Sequence, residues 1–187
     1  MNHFFDIGAN VGQTFDDFLT SSGHFDDWHI WCFEPSPRHV PALMAKAATL
    51  RDRYRIHICP FGVRGKTTIA DFYPKDDPRG DSFEEFCRAD HDQKNLWQGY
   101  QLLGLAVGLG DFIGQFIGAD EKVILKLDCE GSEYDILTHL ASDGPALAKV
   151  REILVEFHQI DQKGVMGQPE LRREYERLGK PLRQWMF

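Results

Sequence analysis

Phe5-Asp6-Ile7-Gly8-Ala9-Asn10-Val11-Gly12-Gln13-Thr14 carries an apolar run into a turn with two glycines. His3 to Ile7 has the composition of a short buried strand. Phe15, Phe18 and Leu19 then recur at helical spacing, so a helix is expected over Gln13 to Leu19. In a strand, Gly turn, helix unit, backbone N–H groups at the helix start can face a ligand. Gly8 and Gly12 permit positive φ and let a ligand lie against bare backbone. The dinucleotide fingerprint G-x-G-x-x-G does not fit, because Asn10 stands where the middle glycine belongs and the acid, Asp6, precedes the turn.

Outward from this unit, strand-like and helix-like segments alternate, which predicts a mostly parallel α/β sheet with helices on both faces. Trp28 to Phe33 is a near-continuous apolar run suited to a buried parallel strand. It ends in Glu34-Pro35-Ser36-Pro37, and an acid at that tip suits ribose hydroxyls. Val40, Leu43, Met44 and Ala47 form the apolar stripe of the next helix. Arg55 to Cys59 reads as the third strand, and Phe61-Gly62-Val63 at its tip offers a place for a purine. Thr67 to Tyr73 and Tyr100 to Val107 read as accessory strands, with a polar loop from Pro74 to Asp81. Ser82 and Glu85 fit a capping box. Arg88 to Gln98 reads as a solvated loop, His91 and Asp92 included. Leu109, Phe112, Ile113, Phe116 and Ile117 make an amphipathic helix. Lys122 to Asp128 is a core strand running into Cys129-Glu130-Gly131-Ser132-Glu133 and a helix with Tyr134, Leu137 and Leu140 inward. Glu152 to Phe157 is the fifth core strand, ending at His158. Leu171, Tyr175 and Leu178 mark a last helix capped by Gly179, and Pro181 to Phe187 a closing strand. A seven-stranded type of sheet is expected, with Phe4–Ile7, Ile30–Phe33, Ile56–Cys59, Val123–Leu127 and Ile153–Phe157 as its parallel core.

The chain has 187 residues, of which 42% are hydrophobic, and this fits a single globular domain over 1–187. Its apolar runs are far short of the ~20 residues of a membrane span. Met1-Asn2-His3-Phe4-Phe5 lacks the basic and apolar regions of a signal peptide. The four cysteines, Cys32, Cys59, Cys87 and Cys129, have no metal-knuckle or C-x-x-C spacing. A reduced cytoplasmic protein is expected. The net charge of −8 argues against a general nucleic-acid binder.

The pattern D-x-G-A-N-x-G from Asp6 to Gly12 resembles motif I of class I S-adenosylmethionine (SAM) methyltransferases. Three further segments sharpen the resemblance: Phe33-Glu34-Pro35-Ser36-Pro37, Lys126-Leu127-Asp128-Cys129-Glu130-Gly131-Ser132-Glu133 and Val155-Glu156-Phe157-His158. In this order they resemble the FkbM-type methyltransferases, and the K-x-D-x-E-G-x-E segment is the most specific piece. The resemblance runs from about Phe4 to His158. It implies a Rossmann-like class I methyltransferase sheet and SAM-dependent methyl transfer, typically to a hydroxyl of a sugar or other small metabolite. By matching motifs, Asp6, Gly8, Ala9, Asn10, Gly12 and Gln13 are expected to line the methionine end of SAM. Glu34 is expected to hold the ribose with help from Ser36, Phe61 and Gly62 to lie near the adenine, and Asp128 and Glu130 to stand beside the departing methyl. The family pattern also has residues before motif I and a closing antiparallel hairpin. Here the termini are abbreviated, with only Pro181 to Phe187 for the hairpin.

A hydroxyl acceptor must lose its proton, so a base is expected nearby. Asp128, Glu130 and His158 are the candidates, since each stands at the C-terminal tip of an expected strand, where ligands bind in open α/β sheets. His158 has the most suitable ordinary pKa, near 6.5. The same three side chains could share a metal, but the reading without one is preferred. Glu130 or Glu133 could instead cap the helix that follows. Rival functions are a non-catalytic methyltransferase-like binding module and a nucleotide-dependent oxidoreductase. Asp6, Glu34 and Asp128 together argue against the first, and Asn10 against the second.

Overall fold

β1 (Asn2–Ile7) is buried along its length from His3 onward. A strand with no polar face needs cover on both faces and a partner on each edge. In the computed structural model, which describes residues 1–19, 25, 28–73, 81–83, 102–158 and 165–185, β1 lies between β2 (His29–Phe33) and β7 (Lys122–Leu127), parallel to both. β3 (Arg55–Cys59) pairs with β2 on one side. β8 (Val150–Val155) and then β9 (Leu182–Gln184) extend the other side. The sheet order is β3-β2-β1-β7-β8-β9, and every pairing is parallel. This is the expected mostly parallel α/β sheet with helices on both faces.

Side chains alternate between the faces of a strand, and the two cores follow that alternation. Phe4, Ile30, Cys32 and Ile124 pack with α1 (Phe15–Leu19, wound as a π-helix) and α2 (Val40–Ala48). Phe5, Ile7, Phe33, Leu125 and Val155 pack under α3 (Leu109–Phe116), α4 (Glu133–Ser142), α5 (Gly144–Lys149) and α6 (Gln168–Arg177). A second, three-stranded sheet joins β4 (Gly62–Arg64), β6 (Leu103–Gly108) and β5 (Thr68–Asp71), with β6 in the middle. Phe83 caps it, packed on Phe72 beside Gly62 and Gly104.

Several expectations need correction. Six strands, not seven, form the main sheet among the described residues. The closing strand β9 is parallel to β8 rather than part of an antiparallel hairpin, because α6 carries the chain back before it enters the sheet. The fifth core strand spans Val150–Val155 and ends before Phe157. Its last ladder contact is the Glu156 N–H donating to the Leu127 carbonyl at 2.9 Å. Met44 and Phe116, expected in buried stripes, are 56% and 53% exposed. β4 and α5 were not expected at all. Residues 74–80 of the polar loop, Glu85 of the capping box and the segment 88–98 with His91 and Asp92 lie outside the described residues. No helix among the described residues is long and apolar enough to cross a membrane.

Candidate active site

The turn after β1 is built by three left-handed residues: Gly8, Asn10 and Gly12, with φ of 83°, 49° and 87°. The N–H groups of Gly8 and Ala9 both donate to the Phe33 carbonyl, at 3.0 and 3.1 Å, so the turn folds back over the end of β2. Gly8 sits against the end of β7, where a Cβ would lie 1.8 Å from the Asp128 carbonyl oxygen. The Asn10 N–H donates to Glu34 Oε2 at 2.8 Å, and the Ser36 N–H donates to Glu34 Oε1 at 2.8 Å. Glu34 is buried. Each carboxylate oxygen has two lone-pair positions, so a further acceptor position remains on each oxygen. His39 stands 3.4 Å from Glu34 Oε1, and neither of its ring nitrogens has a hydrogen-bond partner among the described residues.

Lys126 is buried inside β7, directly across the strand pairing from Asp6. Its Nζ lies 2.9 Å from Asp6 Oδ1 and 3.3 Å from Asp128 Oδ2, and donates to the Gly8 carbonyl at 3.0 Å. Burial opposes the Lys126 charge, but Asp6 and Asp128 outweigh it and raise its pKa above the ordinary lysine range. Burial also raises the Asp6 carboxyl, opposed by Lys126 and by the Thr14 hydroxyl. One ammonium thus ties the strand carrying Asp6, the glycine turn and the Asp128 side chain together.

Beyond Asp128 the chain turns through Glu130 and Gly131, with φ of 52° and 107°. The brace for this turn is Glu133. It is fully buried, and its carboxylate accepts from the N–H groups of Cys129 at 2.8 Å and Gly131 at 2.9 Å. Glu133, rather than Glu130, therefore secures the start of α4. Glu133 Oε1 also meets His158 Nδ1 at 3.0 Å. The other ring nitrogen, Nε2, stands 3.8 Å from Asp128 Oδ1 and 3.5 Å from Glu130 Oε1. Burial disfavours a charge on His158, but its hydrogen bond to Glu133 and the surrounding carboxylates raise its pKa to about 9.

These groups meet in a cavity of about 330 Å³ at the C-terminal ends of β1, β2, β7 and β8. Of the expected residues, Gly8, Asn10, Gln13, Glu34 and Gly62 line it, together with Asp128, Glu130 and His158. Asp6 does not: it is fully buried beneath the turn, against Lys126. Gly12 packs toward Phe15, Lys46 and Leu43. Ser36 turns its hydroxyl to Asp81 at 2.7 Å. Phe61 packs on Phe33 and Phe112, and Ala9 lines a smaller neighbouring recess with Gln13 and Trp185.

Sequence reasoning missed Lys126, His39 and Glu156 as parts of the site and read Glu133 only as a possible cap of the following helix. Only Lys126 gave a signal, a charge inside the otherwise apolar run of β7. The trio whose ligand-capable atoms lie within 4.8 Å of one another is Asp128, Glu156 and His158, which differs from the metal alternative of the sequence by Glu156 in place of Glu130. Chemically, the wall offers carboxylate acceptors to vicinal hydroxyls at Glu34 and an anionic surface to a cationic group at Asp128, Glu130 and Glu156.

A family model described as the methyltransferase FkbM domain matches residues 6–182. No curated protein and no solved structure matches the chain.

Proposed function

Since the chain belongs to the FkbM methyltransferase family, we propose that its cavity binds SAM and that methyl transfer goes to a hydroxyl oxygen of a sugar or other small metabolite. The observation that carries this reading is Glu34: a buried carboxylate fixed by two backbone N–H groups, with acceptor positions left over, in the same cavity as Asp128 and His158. When bound, SAM supplies a methyl group activated by its sulfonium. Glu34 would hold the ribose hydroxyls, Gly8, Asn10 and Gln13 the methionine end, and Gly62 the adenine side. Alignment of acceptor and methyl is the largest contribution such a site can make, worth ~7–11 kcal/mol when fully achieved.

His158 does not suit the part of resting base. With a pKa of about 9 it carries a proton at neutral pH. It is better read as a cation that Glu133 fixes and that aligns Asp128 and Glu130. Those two carboxylates are then the groups placed to take the hydroxyl proton. The free thiols of Cys32, Cys59 and Cys129 support a reducing, cytoplasmic setting.

Calorimetric titration with S-adenosylhomocysteine, the demethylated product, tests the reading. The product is expected to bind and NAD is not. Glu34→Gln should weaken product binding by roughly 1.5–3 kcal/mol, the worth of hydrogen bonds to a charged group. Asp128→Asn should leave product binding nearly intact and abolish transfer to a true acceptor. Neither heat nor a thermal shift with millimolar product, on folded protein, would overturn the assignment.

A further inference from the structure

We propose that Asp128, Glu156 and His158 form a divalent-cation site in this cavity, which would orient and acidify the acceptor hydroxyl; this role rests on the methyltransferase reading above. The three side chains come from the tips of adjacent parallel strands. Asp128 follows β7, and Glu156 and His158 follow β8. Both tips are pinned by backbone hydrogen bonds: the Asp128 N–H donates to the Ile7 carbonyl at 3.0 Å, and the Glu156 N–H to the Leu127 carbonyl at 2.9 Å. Their ligand-capable atoms already lie within 4.8 Å of one another. Atoms bonded at about 2.1 Å to one tetrahedral ion stand about 3.4 Å apart, so a modest contraction closes the set.

Two features outside the trio point the same way. Metal-bound histidines characteristically give their other ring N–H to a carboxylate. His158 Nδ1 meets the fully buried Glu133 carboxylate at 3.0 Å, and Nε2 faces Asp128 Oδ1 at 3.8 Å and Glu130 Oε1 at 3.5 Å. Glu133 is itself held by two backbone N–H groups, so the ring is oriented by a rigid support. Asp128 is divided in a matching way. Its Oδ2 lies 3.3 Å from the Lys126 ammonium, while Oδ1 faces Nε2 at 3.8 Å. That spacing is too long for a hydrogen bond and leaves a gap between the two atoms. One imidazole nitrogen and two carboxylate oxygens suit Mn²⁺ or Zn²⁺, with coordination positions left for a hydroxyl. A cation there lowers the pKa of a bound hydroxyl, and it binds with release of the proton from His158 Nε2.

The experiment is titration of the chelator-stripped, full-length chain with Mn²⁺, read by calorimetry and by the loss of the free Mn²⁺ paramagnetic resonance signal. One ion per chain is expected. Glu156→Gln should weaken binding tenfold or more. Glu152→Gln, on β8 but ion-paired with Arg183 at 2.6 Å, should leave it unchanged. His158→Gln serves as the second variant if Glu156→Gln unfolds, with folding followed by circular dichroism. No stoichiometric Mn²⁺ binding by the wild-type chain, or equal binding by Glu156→Gln and wild type, overturns the proposal. Titration with S-adenosylhomocysteine in excess EDTA reports separately on the cofactor site. Product binding without Mn²⁺ binding removes the cation and keeps the methyltransferase reading, whereas Mn²⁺ binding without product binding does the reverse.

Discussion

Lys126 is a charge in a place where the sheet leaves no water to solvate it. It persists because three acceptors surround its ammonium: Asp6, the Gly8 carbonyl and Asp128. Removing one partner of a buried pair leaves the other charge uncompensated, which costs about 3–5 kcal/mol, whereas replacing both is often close to neutral. Lys126→Met should therefore lower the stability measured by urea denaturation by about 3–5 kcal/mol. Adding Asp6→Asn to it should recover part of that loss. Additive losses in the double variant would mean that the two residues act independently. The same pair shows what sequence reading could and could not supply at this scale. The motif points to Asp6 at the methionine end of the ligand, whereas the residue lies buried beneath the turn against Lys126. Its partner enters the sheet 120 positions later by numbering, and only the β1–β7 register sets the two side by side. Glu130 and Glu133 were ambiguous for a related reason. Either could cap α4, and the choice depends on the left-handed turn that brings the Glu130 side chain into the cavity and folds the Glu133 carboxylate under the backbone.

At the scale of elements, legibility followed self-sufficiency. β1, β2 and β7 were readable because a buried central strand is mostly apolar on both faces, and that signature needs no knowledge of the partner. α3 was readable from its spacing, although Phe116 lies on its outer side with its ring 4.5 Å from that of Phe112. β4 was not readable, since three residues become a strand only because β6 runs beside them. The turn after β1 was legible as a glycine turn, but the need for Gly8 comes from β7. Its φ of 83° and the 1.8 Å approach to the Asp128 carbonyl both exclude a side chain. Gly8→Ala should cost more than the ~1–3 kcal/mol of a strained φ alone, because the turn must also move off the β7 tip. Gly114 is the contrast within the same chain. It lies inside α3, exposed, with nothing within 4 Å of a built Cβ. Gly114→Ala should stabilise by roughly 0.5–1 kcal/mol. Thermal melts of the two variants should move in opposite directions. An unchanged or raised melting temperature for Gly8→Ala would show that the close approach of Gly8 to β7 carries no cost.

Across the whole molecule, the two ends of the sheet hold histidines with opposite titration behaviour, and this fixes how stability should depend on pH. Toward the N-terminal ends of β1, β2 and β3, His3, His29 and His57 gather around Trp31. Trp31 Nε1 donates to His3 Nδ1 at 3.1 Å, His3 Nε2 lies 3.2 Å from Glu121, and a ring nitrogen of His57 meets one of His29 at 3.0 Å. Burial lowers all three pKa values; Arg55 adds to this at His29, while Glu121 opposes it at His3 and His29. Each ring therefore holds a proton less readily in the fold than in the unfolded chain, whose ordinary value is 6.5. Their contribution is thus complete above pH 6.5 and is lost as the pH falls through their lowered folded values. At the other end His158 is raised to about 9, so its contribution is complete below 6.5, declines above that, and is gone beyond about pH 9. Urea denaturation from pH 5 to 10 should therefore give a stability maximum near pH 6.5, with a limb on each side. His29→Gln should flatten the acid limb alone. His158→Gln should flatten the alkaline limb alone, because the two clusters lie at opposite ends of the strands and share no contact among the described residues. An alkaline limb that survives in His158→Gln would show that Glu133 does not hold His158 in its charged form, and the fixed cation beside Asp128 would then have to be sought elsewhere.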